Sequence, residues 1–141
     1  TVDFLSARGI PVCAHLGLLP QSVNQLGGYR VQARDEAAAA RLLADACALE
    51  TAGAGLLVLE AIPARLAQAV TAALAIPTIG IGAGAGCSGQ VLVLYDLLGL
   101  VPHAPKFSKN FLAGHDSVEA AARAYAEAVR SGTFPGPEHS Y

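Results

Sequence analysis

Charged residues are scarce in this sequence, at 14% of 141 residues with a formal net charge of −2, against roughly 25% in soluble globular chains. This scarcity excludes intrinsic disorder, which requires many charges and few apolar residues. The near-neutral charge also gives no electrostatic basis for binding nucleic acid or anionic lipid. Because 53% of the residues are hydrophobic, we expect much of the surface of this chain to be covered by further protein or by neighbouring subunits.

Long apolar runs and an initiator methionine are also missing. No run reaches the roughly 18–20 residues of a transmembrane helix, because Glu60, Pro63 and the glycines between positions 80 and 89 interrupt the longest stretches. The chain begins at Thr1 and lacks the basic start of a secretory signal. We therefore expect a cytoplasmic protein without a membrane span, and we interpret the sequence as a fragment or a processed product.

Cysteine is rare, and the three residues Cys13, Cys47 and Cys87 form no C-x-x-C pair. This spacing excludes a structural zinc site, which needs clustered ligands. We interpret all three as small buried hydrophobic residues in a reducing cytosol. The alternative for Cys13 is a catalytic thiol, because it shares a predicted strand with His15.

The sequence does contain a repeated alternation of apolar runs and alanine-rich segments. Strong helix formers fill the alanine-rich segments, and Asp35, Pro63 and Ser117 suit the beginnings of helices. The apolar runs predict strands over 10–16, 55–60, 76–82 and 91–95, the last being alternatively the start of a helical turn. The other segments predict helices over 35–52, 64–74 and 117–131.

The apolar runs do not alternate with polar residues, which is typical of strands buried on both faces of a parallel sheet. The predicted fold class is therefore α/β. Gly-Ile-Pro and Ala-Ile-Pro precede the first and third runs, as in consecutive units of a (β/α) barrel. Such barrels carry their chemistry at the C-terminal ends of the strands. The polar or glycine-rich positions there are His15, Glu60, the segment 80–89 and Asp96.

Glu60 is the first candidate because it ends the apolar run 56–59. A carboxylate in that position is costly unless it is used or paired, and partial desolvation suits it to general acid or base catalysis. The alternative is a structural carboxylate that accepts hydrogen bonds from the following loop. His15 ends the neighbouring strand, where it could orient a substrate or share a proton with Glu60. The alternative for His15 is a core histidine with satisfied hydrogen bonds.

Gly84, Gly86 and Gly89 match a G-x-G-x-x-G pattern after a predicted strand. A dinucleotide site also needs a long helix and an acidic residue about 20 positions later, whereas here another apolar run follows at once, so we exclude it. Such glycines let backbone N–H groups approach an anionic ligand, or simply form a tight turn. Lys106 and Lys109 are candidates for holding a phosphate or carboxylate, although a solvated basic patch is the simpler interpretation.

Several segments occur in an order that is typical of one enzyme family: 15–18 (HLGL), 20–24 (PQSVN), 26–32 (LGGYRVQ), 57–60 (LVLE), 76–84 (IPTIGIGAG), 105–107 (PKF) and 138–141 (EHSY). Together they resemble ketopantoate hydroxymethyltransferase (3-methyl-2-oxobutanoate hydroxymethyltransferase). The match is collinear over nearly the whole chain, so it is specific although each motif alone is weak. The resemblance implies a (β/α)8 TIM barrel. Residues 1–141 would hold about its last four βα units, the C-terminal half of a single barrel domain whose N-terminal half is absent.

The resemblance also implies a reaction, in which a hydroxymethyl group passes from 5,10-methylenetetrahydrofolate to 3-methyl-2-oxobutanoate. The product, 2-dehydropantoate, feeds pantothenate and coenzyme A synthesis. Magnesium bound by the 2-oxo acid acidifies its C3 proton. The family motif assigns Glu60 as the catalytic proton acceptor and His15 as an active-site support. The metal ligands are expected in the missing half, so none is assigned here. We expect this chain alone to be inactive and the enzyme to be a homo-oligomer.

Three positions depart from the family pattern. Ala33 replaces a usual Gly, Ser88 a usual Asp and Tyr141 a usual Phe, and none of them alters Glu60. Two alternatives stay open. One is a related barrel lyase or mutase acting on pyruvate-like acids, since one barrel type hosts many reactions. The other is a non-catalytic half-barrel that serves as an assembly unit.

Overall fold

The computed structural model describes residues 1–25 and 27–141, so Leu26 in the motif 26–32 lies outside the described residues. The helices are α1 (Val2–Ser6), α2 (Glu36–Thr51), α3 (Ala64–Ala73), α4 (Leu94–Leu97) and α5 (Val118–Arg130). The strands are β1 (Cys13–Gly17), β2 (Leu56–Glu60), β3 (Thr78–Ile81) and β4 (Gly89–Gln90). Single turns of 3-10 helix cover Pro20–Ser22 and Pro137–His139.

The strands form one parallel sheet in the order β1-β2-β3-β4. Helix α2 connects β1 to β2 and helix α3 connects β2 to β3, which confirms the predicted α/β class. The register pairs Gly17 with Glu60 and Glu60 with Ile81. The carboxyl ends of the three longer strands therefore meet at one edge of the sheet, and Glu60 lies in the middle of that edge.

The helices cover one face of this sheet. Leu57 and Leu59 point to that face and are fully buried, together with Ala67 and Val70 of α3 and the other members of what we call the sheet cluster. Their neighbours Leu56, Val58 and Glu60 point to the opposite face and keep part of their surface exposed. The prediction that these strands are buried on both faces is therefore wrong for β1 and β2, whereas in β3 Ile81, which pairs with Glu60, is buried on the opposite face as well.

Both predicted helix caps are confirmed. The carboxylate of Asp35 accepts a hydrogen bond from the backbone N–H of Ala38 at 2.8 Å at the start of α2. The hydroxyl of Ser117 accepts one from the backbone N–H of Ala120 at 3.1 Å at the start of α5. Each cap satisfies one of the backbone donors that an α-helix leaves unpaired in its first turn. The caps explain why both helices begin where the sequence predicted.

Two strands begin later than predicted because of proline. The first run was expected from residue 10, but β1 begins at Cys13; the third was expected from residue 76, but β3 begins at Thr78. Pro11 and Pro77 precede these starts and have no backbone N–H to donate to a ladder of hydrogen bonds. The residues directly before each strand only accept hydrogen bonds from the neighbouring segment: the carbonyl of Val12 accepts from Gly55 at 2.9 Å, and that of Pro77 accepts from Leu57 at 3.2 Å.

The fourth predicted strand, over 91–95, is wrong. The strand is β4, only two residues long, and it pairs with β3 through Gly89 and Gln90. The alternative of a helical turn is closer, since α4 begins at Leu94. Val93, Leu94 and Tyr95 are more than half exposed. The apolar run was mistaken for a buried strand because composition alone does not show which apolar residues are buried in the fold.

A second hydrophobic cluster joins α4 and α5. It contains Leu97 of α4, Leu98 directly after it and Ala121 of α5, together with Phe111 and Phe134 from the flanking segments, and we call it the aromatic cluster. The backbone N–H of Phe111 donates to the carbonyl of Leu97 at 2.8 Å. This contact fixes α4 against the rest of the C-terminal region. None of the described helices is long and apolar enough to cross a membrane.

Candidate functional site

The two side chains favoured by the sequence meet on the uncovered face of the sheet. The prediction that His15 ends its strand is wrong, because His15 lies in the middle of β1 and pairs with Val58, while Gly17 pairs with Glu60. Nε2 of His15 lies 3.1 Å from Oε2 of Glu60, and the two side chains are 30% and 14% exposed. The geometry falls short of a hydrogen bond, so the buried Nε2 has no hydrogen-bond partner among the described residues. A buried ring nitrogen without a partner is costly. The alternative of a satisfied core histidine therefore does not fit His15.

The backbone around Glu60 explains why its side chain reaches this position. The carbonyl of Glu60 accepts a hydrogen bond from Leu18 at 2.9 Å, and a Cβ at Gly17 would overlap that carbonyl. The next residue, Ala61, has φ 48°, and its N–H donates to Ile81 at 2.9 Å. Alanine rarely adopts a positive φ. The chain therefore turns sharply after Glu60 and leaves the carboxylate at the open end of β2.

The alternative of a structural carboxylate at Glu60 is also not supported. Among the described residues, the partner of its carboxylate is the imidazole of His15 rather than backbone N–H groups of the following loop. The loop N–H groups have other acceptors: Ala61 donates to Ile81, and Gln32 donates to the carbonyl of Ala61 at 2.8 Å. The Glu60 carboxylate is left free to face outward from the strand end.

A cavity of about 540 Å³ is lined in part by Glu60. Most of its lining is apolar, and four charged or titratable side chains besides tyrosine reach it: Glu60, Asp96, Arg30 and His103. An apolar pocket with a few polar groups is the usual form of a small-molecule site. His15 supports this cavity from behind Glu60 and is not part of its lining.

Asp96 lines the same cavity as Glu60. The sequence predicted it to follow a strand, whereas in the structure it belongs to α4. Only 8% of its surface is exposed. Burial raises the pKa of its carboxyl above the ordinary value because the charged form loses solvation. The ion pairs among the described residues join other side chains. Asp96 is thus a mostly buried residue whose carboxyl forms no ion pair among the described residues.

Aromatic side chains that sequence reasoning missed form one wall of the cavity. Phe107 and Tyr141 meet edge to face with ring centroids 6.5 Å apart, and burial raises the pKa of the Tyr141 phenol. The carbonyl of Tyr141 accepts a hydrogen bond from Ala64 at 2.8 Å, which ties the C-terminus to the first turn of α3. The signal was present in the family motifs 105–107 and 138–141, but motif matching did not say where these rings lie.

The glycine-rich segment 80–89 is explained by close packing against protein. Gly82 has φ 62°, and a Cβ there would lie 2.6 Å from Cδ1 of Phe107. Gly84 has φ 74° and lies against Ala64, while Gly86 lies against Gln68. These glycines let the chain turn and let side chains approach. The tight-turn alternative therefore accounts for them, and Gly82 positions Phe107 at the cavity wall.

The two lysines do not line the cavity. Lys106 donates a hydrogen bond to the carbonyl of Ser140, and its Nζ lies 5.1 Å from the centroid of the Tyr141 ring. Nζ of Lys109 lies 5.1 Å from the Phe111 ring. Both side chains are exposed, as expected for a solvated basic patch. Lys106 also secures the C-terminal segment that carries Tyr141.

The interpretation of all three cysteines as buried residues is wrong. Cys13 and Cys47 are exposed, and Cys87 is half-buried. Cys13 lies on the uncovered face of the sheet, which composition alone did not reveal. Burial raises the pKa of the Cys87 thiol, although hydrogen bonds with Thr78 and Thr71 oppose this. A thiol with a raised pKa is a poor nucleophile.

Comparison with known proteins identifies relatives over the whole chain. The family model for ketopantoate hydroxymethyltransferase matches residues 1–137. The chain is 73% identical to 3-methyl-2-oxobutanoate hydroxymethyltransferase of Thiobacillus denitrificans over 141 residues, which covers 100% of this chain and 54% of the relative. It is 61% identical to the enzyme of the same name from Nitrosospira multiformis, again over 100% of this chain and 54% of the relative. The chain therefore spans about half the length of these curated relatives.

Proposed function

Because the chain belongs to the ketopantoate hydroxymethyltransferase family, we propose that the protein carrying it makes 2-dehydropantoate. The substrate would be 3-methyl-2-oxobutanoate and the hydroxymethyl donor 5,10-methylenetetrahydrofolate. The observation that carries this proposal is the Glu60 carboxylate, which has His15 at 3.1 Å and faces a cavity of about 540 Å³. Cavities of roughly 300–1,000 Å³ accommodate small molecules and cofactors.

In the proposed reaction, the Glu60 carboxylate accepts the proton from C3 of the oxo acid. The electron pair of that C–H bond becomes the C2–C3 double bond of an enolate, and C3 then bonds to the methylene carbon of the donor. Over the whole reaction, the methylene carbon exchanges its bonds to two folate nitrogens for one bond to C3 and one to the oxygen of water. The protons from C3 and from water end on the folate nitrogens, which leaves tetrahydrofolate.

We assign His15 a supporting role in this step. Its Nε2 faces Oε2 of Glu60 at 3.1 Å and has no hydrogen-bond partner among the described residues. An imidazole at that distance can stabilise the ionised carboxylate before proton abstraction, or take the proton onward afterwards. Because His15 does not line the cavity, it acts through Glu60 and not on the substrate.

Magnesium is the proposed cofactor of the complete enzyme, but the described residues do not fit it. They contain no group of three or more His, Cys, Asp or Glu side chains that could hold a metal ion. Magnesium prefers an octahedral set of oxygen ligands, which Glu60 and His15 do not supply. We derive no step through the ion, and we propose that its carboxylate ligands lie outside these 141 residues.

We further propose that residues 1–141 form the C-terminal half of a single (β/α)8 barrel domain. Two observations support this: the chain covers 54% of its relatives, and helices cover only one face of its sheet. In a barrel the uncovered face would become the interior, against which the remaining strands pack. The homo-oligomer is part of the same proposal, supported by the exposed apolar run at Val93, Leu94 and Tyr95.

The test uses the full-length protein and the variant Glu60→Gln, with the exposed residue Glu127→Gln as a control for the same chemical change. Product formation is measured with both substrates, and deuterium exchange at C3 of the oxo acid is followed by NMR without the folate. We expect Glu60→Gln to lower kcat and the exchange rate by about 10²- to 10⁴-fold, the usual range for loss of a general base. Glu127→Gln should leave both unchanged.

The outcomes separate the alternatives. Wild-type kcat in Glu60→Gln would remove the role assigned to Glu60. Product formation from the oxo acid without any folate would favour a pyruvate-type lyase or mutase, and a full-length wild type without turnover would favour an assembly unit. The 141-residue chain assayed alone is expected to be inactive, and turnover by it would contradict the half-barrel proposal.

A further inference from the structure

Asp96 is a buried carboxyl that the reaction proposed above does not use. It is 8% exposed, lines the same cavity as Glu60, and is held on α4 by the aromatic cluster. The ion pairs among the described residues do not involve its carboxylate, and its oxygens are not among the fully buried polar atoms that lack a partner, so they keep surface that a ligand can reach. A carboxyl that lines a mostly apolar cavity without a hydrogen-bond partner is partly desolvated, which is costly. Such a group is retained at a functional site when a ligand supplies the missing donors.

The charge and walls of the cavity restrict the kind of ligand that can meet this carboxyl. The 2-oxo acid is an anion, and a second carboxylate beside Asp96 would repel it. An ionised carboxylate accepts hydrogen bonds and donates none, so the ligand must present N–H or O–H groups. The aromatic wall of Phe107 and Tyr141 and the apolar side chains Ile81 and Val93 suit a flat ring. The chemistry required is therefore a planar heterocycle with adjacent N–H donors on one edge.

We propose that Asp96 binds the 2-amino-4-oxo edge of the pterin ring of the folate donor, with its two oxygens accepting the ring N3–H and one N–H of the 2-amino group. This inference rests on the proposed function, because it assigns a residue to the folate substrate of that reaction. The two parallel hydrogen bonds are charge-assisted, which strengthens them and fixes the orientation of the ring. The pterin carries its methylene group on the ring opposite this edge, so binding at Asp96 directs the methylene away from α4.

The proposal assigns one residue of the cavity to each substrate. Both residues line the cavity, Glu60 from the end of β2 and Asp96 from α4. The oxo acid has its reactive C3 at Glu60, and the pterin edge is held at Asp96. Burial raises the pKa of Asp96. Two N–H donors from the pterin oppose this rise because they stabilise the ionised form. The folate thus supplies hydrogen-bond donors to the Asp96 carboxylate.

The test compares full-length wild type with Asp96→Asn, Asp96→Glu and the exposed control Asp116→Asn. Calorimetry measures the Kd of tetrahydrofolate, of 6-methyltetrahydropterin, which is the ring alone, and of p-aminobenzoylglutamate, which is the tail alone. We expect Asp96→Asn to weaken tetrahydrofolate and the pterin by about tenfold to a hundredfold, the usual effect of losing charge-assisted hydrogen bonds. Tail binding, and deuterium exchange at C3 of the oxo acid, should stay unchanged.

Asp96→Glu keeps the charge but displaces it, so its pterin affinity should lie between those of wild type and Asp96→Asn. Unchanged pterin affinity in a folded Asp96→Asn protein would overturn the inference. Loss of C3 exchange in that variant would also overturn it, because Asp96 would then serve the oxo acid. If wild type turns over with the folate donor but Asp96→Asn binds tetrahydrofolate normally, only this inference fails. If wild type needs no folate, the proposed function fails instead.

Discussion

The sheet cluster and the aromatic cluster are built from different kinds of side chain. The sheet cluster is aliphatic, and its largest members, among them Leu57, Leu59 and Val70, are fully buried between strands and helices. The aromatic cluster packs Phe111, Tyr125 and Phe134 edge to face, with centroids 5.3 to 5.8 Å apart. The first cluster sets the strand register and so positions Glu60. The second holds α4 and so positions Asp96.

This difference has a consequence for function. Strand register leaves a side chain at a strand end with little freedom, because a one-residue slip would turn it to the other face. A short helix such as α4, with four residues, depends on the packing of its neighbours. Burial raises the pKa of Tyr125 to about 12, and its hydroxyl has no hydrogen-bond partner among the described residues. The proposed function therefore assigns proton abstraction to a residue positioned by the sheet, and the further inference assigns folate binding to a residue positioned by the aromatic cluster.

The largest expected effect comes from breaking the two clusters separately. Leu59→Ala should lower the free energy of unfolding by about 2–5 kcal/mol, the usual loss for a fully buried leucine. Phe111→Leu should cost about 1–2 kcal/mol, because volume is nearly kept but the edge-to-face contacts are lost. Urea denaturation of the full-length protein measures both. In the folded variants, Leu59→Ala should slow C3 exchange, whereas Phe111→Leu should weaken tetrahydrofolate binding and leave exchange intact. The reverse pattern would contradict the division of labour.

A smaller effect concerns how far the ionised Asp96 carboxylate lowers the free energy of unfolding. Because burial raises the pKa of its carboxyl in the folded state, the folded protein binds more protons than the unfolded chain between the ordinary carboxyl pKa and the raised one. The unfolding free energy therefore falls as pH rises through that window, and the loss is complete above it. Asp96→Asn should be more stable than wild type at neutral pH and equal to it in acid. The other titratable groups lining the cavity are Glu60, Tyr29, Arg30, His103 and Tyr141.

Urea denaturation from pH 4 to pH 8 in the absence of folate measures this difference, with Asp116→Asn as the exposed control. A stability gain that persists in acid would mean that the Asp96 charge is not its cause. If Asp96→Asn is stabilised at neutral pH and also loses pterin affinity, the residue is kept for function at the expense of stability. A variant that is less stable than wild type at neutral pH would mean that the Asp96 carboxyl has a stabilising partner in the full-length protein.

Sequence reasoning found Glu60 and His15 because their position depends on local pattern. Glu60 ends its apolar run as predicted, whereas His15 lies in the middle of β1. The two side chains meet because His15 pairs with Val58, which points to the same face as Glu60. It did not find the burial of Asp96 or the position of Tyr141, because those depend on contacts between segments far apart in the chain. It also misassigned 91–95, since Val93 to Tyr95 are apolar but exposed. Where the partner of an apolar residue is distant, composition alone cannot tell a buried strand from an exposed turn.

The smallest expected effect concerns Ala33, one of the departures from the family pattern. Ala33 has φ 53°, in the left-handed region where a side chain costs roughly 1–2 kcal/mol. Ala33→Gly removes that strain. It also removes a partly buried methyl group and increases the conformational entropy of the unfolded chain. The net change in the free energy of unfolding should therefore lie within about 0.5 kcal/mol of zero. Ala40→Gly, in the middle of α2, should cost about 1 kcal/mol. Equal losses in the two variants would show that Ala33 is unstrained, and that this departure from the family has no backbone cost.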